Sequence, residues 1–230
     1  MFPSFSSFLA QSDGIPAGAV RFQLDAGQVL HHGGEPHTLW RVVSGVLRLD
    51  QTSRGSTGGN TVLVTLALAG DLVGFETLYG GYCPFEVSAL TDVQLVPLQP
   101  ADEKQHQQWL VEALLQQPQR SHDMARLRTG PVAARLSELL CLLGHVPTPD
   151  VAQHLDKLNA DELRQSLPPL RVLAEVVDAK HETVCRALAQ LLPPRSRKSG
   201  PPRRWTEAAG NAAAAAMERI AAGALKGALT

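Results

Sequence analysis

LDAGQVLHHGGEPHTLWRVVSGVLRLD, residues 24–50, decides the reading of the first half of the chain. Its long apolar run, Leu39 to Leu49 with Gly45 inside, largely alternates inward and outward positions at the period of two that buries one face of a strand. Similar short runs lie on either side at Val20–Leu24, Thr61–Leu68, Phe85–Leu90 and Val93–Leu98. The polar, Gly-rich segment SRGSTGGN at 53–60 reads as a hairpin loop between the second and third. Glycines 27, 45, 70 and 74 fall where tight corners need positive φ or close backbone approach. The spacing predicts a small barrel, roll or sandwich.

Beyond it the texture changes. From about Asp102 to Leu143 the chain is rich in Gln, Leu, Ala and Arg and reads as helix. Leu110, Leu114, Gln117, Ser121 and Met124 recur at alternating steps of four and three, a seam suited to paired helices. Pro118 either kinks this helix or opens a second one. Gly130-Pro131 breaks the pattern, and Val132–Leu143 is a second, strongly apolar helix. A polar connector, 145–166, leads to LPPLRVLAEVVDAKHETVCRALAQLL at 167–192. There, Leu170, Leu173, Ala174 and Val177 make one apolar face, and Val184, Ala187, Leu188 and Leu191 repeat its spacing about three residues beyond. Glu182, Cys185 and Arg186 occupy the opposite face of the second pattern, the arrangement a helix-turn-helix needs.

Composition bounds the function. The chain has 230 residues, 44% hydrophobic and 19% charged, with 21 basic against 22 acidic side chains and three cysteines. This excludes disulfide-rich, collagen-like and wholly disordered classes. No run of about 18 uninterrupted apolar residues occurs, and the opening MFPSFSSFLAQSDG puts no basic segment ahead of an apolar stretch. The expectation is a cytoplasmic protein with no membrane partner. Residues 193–204 carry five basic residues and no acidic one, so without them the net charge falls from −1 to −6. A short basic segment on an acidic body can neutralise phosphates locally.

The β pattern resembles the β-roll of the cyclic-nucleotide-binding domain, through Ala26-Gly27-Gln28-Val29-Leu30, Val43 to Leu49 and Gly70-Asp71-Leu72-Val73-Gly74. The later His181-Glu182-Thr183-Val184-Cys185-Arg186 resembles the recognition helix of the CRP/FNR family of transcription regulators. The resemblance covers roughly residues 15–205 and implies an α+β fold. Its parts would be a β-roll sensor of the jelly-roll type at 15–100, a long dimerisation helix at 102–129 and a winged helix-turn-helix DNA-binding domain at 131–205. An Ala-rich tail follows at 206–230.

The resemblance implies double-stranded DNA as partner and a homodimer as the active form, with RNA polymerase and an unnamed small-molecule effector as further partners. Glu182 can accept from cytosine N4 and Arg186 can donate to guanine, with His181 and Cys185 beside them. Lys180 and Thr183 stand where phosphate contacts are expected, and Arg195, Arg197 and Lys198 suit salt-sensitive contacts to the backbone. Asp178 holds the turn position usually taken by Gly, Pro168-Pro169 replace the usual Thr cap, and prolines around 193–202 make a regular wing doubtful.

The effector pocket departs further. Gly74 is followed by Phe75 where nucleotide binders have Glu, Glu76 comes one position late, and Cys83-Pro84 stand where an Arg-Ser pair would clamp the phosphate. Neither replacement offers a cation, so cyclic AMP is expected not to bind. No cofactor or metal is expected. His31 and His32 are adjacent in a strand and point to opposite faces, which breaks up the His31, His32, Glu35, His37 group. Cys83, Cys141 and Cys185 lack the spacing of a cluster site, though each is a candidate redox switch. No catalytic constellation is evident, so the chain is not expected to be an enzyme. The alternatives are a ligand-sensing or protein-interaction module whose helix-turn-helix no longer functions, and a β-barrel metalloenzyme.

Overall fold

The computed structural model describes residues 20–52, 61–150 and 160–192, all within one of the two units into which the chain divides, Met1–Pro194; the other is Arg195–Thr230. The expected hairpin loop at 53–60, part of the connector, the basic segment with Arg195, Arg197 and Lys198, and the Ala-rich tail lie outside the described residues.

Eight strands come first in the described residues: β1 (Phe22–Leu24), β2 (Val29–His31), β3 (Leu39–Ser44) and β4 (Leu47–Thr52). Then follow β5 (Thr61–Ala67), β6 (Leu72–Val73), β7 (Glu86–Ala89) and β8 (Val93–Leu98). They form two four-stranded antiparallel sheets, β1-β8-β3-β6 and β2-β7-β4-β5. Leu24, Val42, Val93 and Leu95 from the first sheet and Leu47, Leu49, Val87 and Ala89 from the second share one buried core, so the sheets are stacked layers.

The run Leu39–Leu49, expected as one strand, is two strands in different sheets. The chain changes layer at Gly45, whose φ is 82°. A Cβ there would overlap Asp92 O and stand 2.9 Å from Val93 Cα. Val46 N–H donates to Thr91 Oγ1 at 3.0 Å, and Leu90 N–H donates to Val46 O at 2.9 Å, tying the crossing to the β7–β8 corner. Gly27, Gly70 and Gly74, also expected at corners, all have positive φ.

Helix α1 (Glu103–Arg128) is capped by Asp102, which accepts from Gln105 N–H at 2.7 Å. It runs on through Pro118, so neither a second helix nor a new start is needed. The carbonyl of Leu114 loses its helical donor there, but Leu114 lies on the exposed face, where water can serve it. The rotation of α1 about its own axis leaves Leu114, Gln117 and Ser121 of the expected pairing seam exposed, Leu110 half-buried and Met124 buried. Trp109, Ala113, Met124 and Leu127 are buried, while Val111, Leu114 and Leu115 are 55%, 69% and 49% exposed.

Polar contacts set that rotation. Arg41 grips Glu112 through two hydrogen bonds of 2.6 and 3.0 Å. Gln116 accepts from Leu72 N–H at 2.9 Å and donates to Leu72 O at 3.1 Å. Arg120 pairs with buried Asp71 at 2.8 Å and also with Asp123.

Helices α2 (Val132–Leu142), α3 (Ala160–Ser166), α4 (Leu170–Val176) and α5 (His181–Leu191) follow. α3 falls inside the stretch read as a polar connector; its Leu163 is buried with Leu140, Val146 and Leu192, a single anchor too sparse to show as a period. α4 and α5 are joined through Asp178, the one non-Gly residue with positive φ among the described residues, at 47°. Arg135 fixes this turn by donating to Val177 O and Asp178 O at 2.9 and 3.1 Å. Leu173, Val177, Val184 and Ala187 pack in one cluster with Leu136 and Leu139 of α2, Leu127 of α1 and Val46, Leu63, Leu66 and Leu90 of the roll.

Two substitutions test this account. Gly45→Ala should lower unfolding stability by roughly 2–4 kcal/mol in denaturant titration, because strain and overlap act together. Asp178→Val should cost about 1–2 kcal/mol while Asp178→Gly does not, since a β-branched side chain tolerates left-handed geometry worst.

Candidate functional site

One candidate surface is the outer face of α5. Its first turn follows Lys180, whose extended φ of −70° and ψ of 143° start the helix without a side-chain cap. Val184 and Ala187 face inward, and Lys180, His181, Glu182, Cys185 and Arg186 are exposed, with Thr183 half-buried. Among the described residues the side chains of Lys180, His181, Glu182 and Arg186 take part in no hydrogen bond or ion pair, and Glu182 and Arg186 do not pair with each other. Four polar groups are thus presented together on a helix whose opposite side is fixed in the core. The expected DNA contacts at Arg195, Arg197 and Lys198 lie outside the described residues.

The second candidate is a cavity of about 280 Å³ between the roll and α1. Leu49, Val73, Phe75, Phe85 and Met124 give it an apolar wall, and Glu76, Gln116, Gln117, Arg120 and Ser121 supply the polar groups. Gly74, Phe75 and Glu76, expected at the effector pocket, line it; Cys83 and Pro84 do not. Among the described residues Arg120 is its one guanidinium, and that group is already held by Asp71 and Asp123. Burial pushes the Asp71 carboxyl above its ordinary range, with Arg120 opposing the shift. Gln116, Arg120 and Met124 were not expected here. They come from the helix side, and the signal that could have found them is the i, i+4, i+8 spacing of 116, 120 and 124, which follows α1 as it crosses β6.

Glu76 sits on a 3-10 helix, Phe75–Tyr79, opened by Gly74 at φ 78°. A Cβ on Gly74 would stand 2.6 Å from His37 Cδ2, so the glycine lets the imidazole lie against the chain. His37 Nε2 is 3.8 Å from Glu76 Oε2, and with Cys83 these residues place one donor atom each within 4.8 Å of the others. His31 stacks on His37 with ring centroids 5.0 Å apart, whereas His32 turns outward to Glu86 at 2.9 Å. The histidine cluster of the sequence is therefore split, and His37 joins two residues that lie about 40 and 45 positions away. Burial raises the Glu76 carboxyl above its usual range and pushes the Cys83 thiol up to about 11. Burial also lowers His31. Cys83, Cys141 and Cys185 are all free thiols, buried, half-buried and exposed in turn.

No protein-family model matches the chain, and no curated protein matches it. Solved structures do. The chain is similar to TTHB099, a CRP-family transcriptional regulator from Thermus thermophilus, at 21% identity over 74% of this chain and 83% of that one, with a TM-score of 0.50. It is similar to FixK2 from Bradyrhizobium japonicum at 17% identity over 75% of this chain and 84% of that one, with a TM-score of 0.51. Identity at this level speaks to fold. With its two antiparallel sheets, long helix and following helices, the chain has a CRP/FNR-like fold of the cyclic-nucleotide-binding type.

Proposed function

We propose that this protein is a homodimeric, sequence-specific DNA-binding transcription regulator of the CRP/FNR type that does not respond to cyclic AMP. The observation that carries the reading is the outer face of α5, where Lys180, His181, Glu182 and Arg186 are exposed and have no partner among the described residues while Val184 and Ala187 anchor the helix. In this reading α4 and α5 are a helix-turn-helix, and α5 enters the major groove. Glu182 and Arg186 read base edges, with His181 and Cys185 alongside, and Lys180 and Thr183 position the helix on phosphates. Arg195, Arg197 and Lys198 add salt-sensitive backbone contacts. The sensor is 15–100, the pairing helix 102–129 and the DNA-binding domain 131–205, and the protein acts in the cytoplasm with RNA polymerase as a partner.

Two further observations support parts of this reading. Val111, Leu114 and Leu115 form an exposed apolar stripe on α1, opposite the face clamped to the roll, as a subunit seam requires. Among the described residues the cavity has no free cation for a cyclic phosphate, because the one guanidinium lining it is held between two carboxylates.

Selection of random duplex DNA by the purified protein without added ligand should enrich a roughly palindromic site. The double variant Glu182→Ala, Arg186→Ala should lose the enrichment, each contact being worth about 1–3 kcal/mol. Salt-sensitive binding without an enriched sequence would count against base reading by α5, and absence of binding would favour an interaction module. Leu114→Glu should convert a dimer to monomer in sedimentation experiments, since it buries an unpaired charge in the seam; a wild-type monomer would overturn the pairing.

A further inference from the structure

We propose that His37, Glu76 and Cys83 form a binding site for one divalent transition-metal ion of the zinc class. The three residues come from separate elements that converge at one end of the roll: the loop before β3, the 3-10 helix and the loop before β7. One donor atom from each lies within 4.8 Å of the other two. The side chains of His37 and Glu76 are 1% and 8% exposed, and Cys83 is fully buried.

Two of those buried atoms have no hydrogen-bond partner among the described residues. His37 Nε2 and Glu76 Oε2 make no hydrogen bond, and at 3.8 Å they are too far apart to make one with each other. Leaving such atoms unsatisfied is costly, since each has given up water without gaining a partner. Nitrogen and oxygen ligands bonded to zinc at about 2.0–2.2 Å in tetrahedral array stand roughly 3.3–3.5 Å apart, so the 3.8 Å between His37 and Glu76 closes onto a shared ion by a few tenths of an ångström, with a small side-chain shift bringing in the Cys83 sulfur.

The surroundings hold the donors in place. His37 Nδ1 lies 3.2 Å from Glu35 O, so the tautomer with the proton on Nδ1 donates there and leaves the Nε2 lone pair free. The other tautomer would accept from Cys83 N–H on Nδ1 at 3.4 Å, a longer contact, and an ion at Nε2 selects against it. Gly34 N–H donates to Cys83 O at 2.8 Å, joining the two loops that carry His37 and Cys83. His106 of α1 reaches Leu78 O at 2.6 Å and steadies the 3-10 helix that carries Glu76.

The donor set also selects the ion. One imidazole nitrogen, one carboxylate oxygen and one sulfur suit zinc, cobalt(II) or iron(II), while magnesium and calcium need a mostly oxygen shell. On binding, the Cys83 S–H bond breaks, its proton passes to solvent and a metal–sulfur bond forms. Thiolate and carboxylate together then cancel the two positive charges, so the buried site is neutral and avoids the cost of an isolated charge. The fourth position is left for solvent or a small ligand. The site does not depend on DNA binding.

The test uses the full chain, stripped of metal with a chelator and titrated with Co2+ and, in competition, with Zn2+. One equivalent of Co2+ should give tetrahedral d–d bands and a thiolate-to-cobalt charge-transfer band, both abolished by Zn2+ and unaffected by excess Mg2+. Cys83→Ser should lose the charge-transfer band, and His37→Gln or Glu76→Gln should weaken binding at least ~10-fold. The double variant Cys141→Ser, Cys185→Ser, which leaves Cys83 as the single thiol, should keep the wild-type spectrum; this arm decides the matter even where Cys83→Ser fails to fold. Absence of a charge-transfer band in the wild type, or its loss in the double variant, would overturn the proposal.

Discussion

The clamp between α1 and the Gly70–Leu72 corner governs the rest of the molecule. Asp71 is buried, and a carboxylate there is tolerable only with a cation and hydrogen bonds at hand. Arg120 supplies the cation, and Leu68 N–H donates to Asp71 at 2.7 Å. Arg41 with Glu112, two turns earlier on the helix, fixes a second point, so α1 can neither slide nor roll on the sheet. Removing one partner of such a buried pair generally costs about 3–5 kcal/mol, much more than an exposed pair provides. From this one constraint follow the lid of the cavity, the outward direction of Val111, Leu114 and Leu115, and the point at which α2 begins.

The same cluster that buries Leu127 also buries Leu136, Leu173, Val177 and Val184 against Val46, Leu63 and Leu66 of the roll. Arg48 on β4 extends this contact, with its guanidinium on Asp50 at 2.7 Å and on Glu175 of α4 at 3.1 Å. The helices after α1 therefore share apolar core with the β-roll instead of hanging from it on a linker. A change in packing at β4 or β5 would reach α4 by direct contact, through side chains with little room to yield.

Much of this was legible in the chain. Glycine spacing marked the corners, the period of α4 and α5 marked their inner faces, and Asp178 was recognisable as the residue standing in for Gly at the turn. The face of α1 that packs on the roll was not legible, because the helix meets the roll through Glu112, Gln116 and Arg120. These polar residues read as solvent-facing until their buried partners are known. The break at Gly45 was hidden for another reason: both halves of Leu39–Leu49 alternate well, and only the approach of Asp92, 47 positions later, forces the chain across to the other layer. The gathering of His37, Glu76 and Cys83 has no sequence period at all, since it depends on which loop ends the roll brings to one corner.

Gln116 closes one edge of the first sheet. Strand β6 is two residues long and ends its sheet, and the outward N–H and C=O of Leu72 are both taken by the amide of that one side chain. The helix thus stands in for a further strand at the point where a foreign β-segment would otherwise add itself by main-chain pairing. An edge sealed in this way is closed to strand addition at that point, so whatever meets it must do so through side chains, whose geometry and stoichiometry are limited in a way that open-ended strand addition is not.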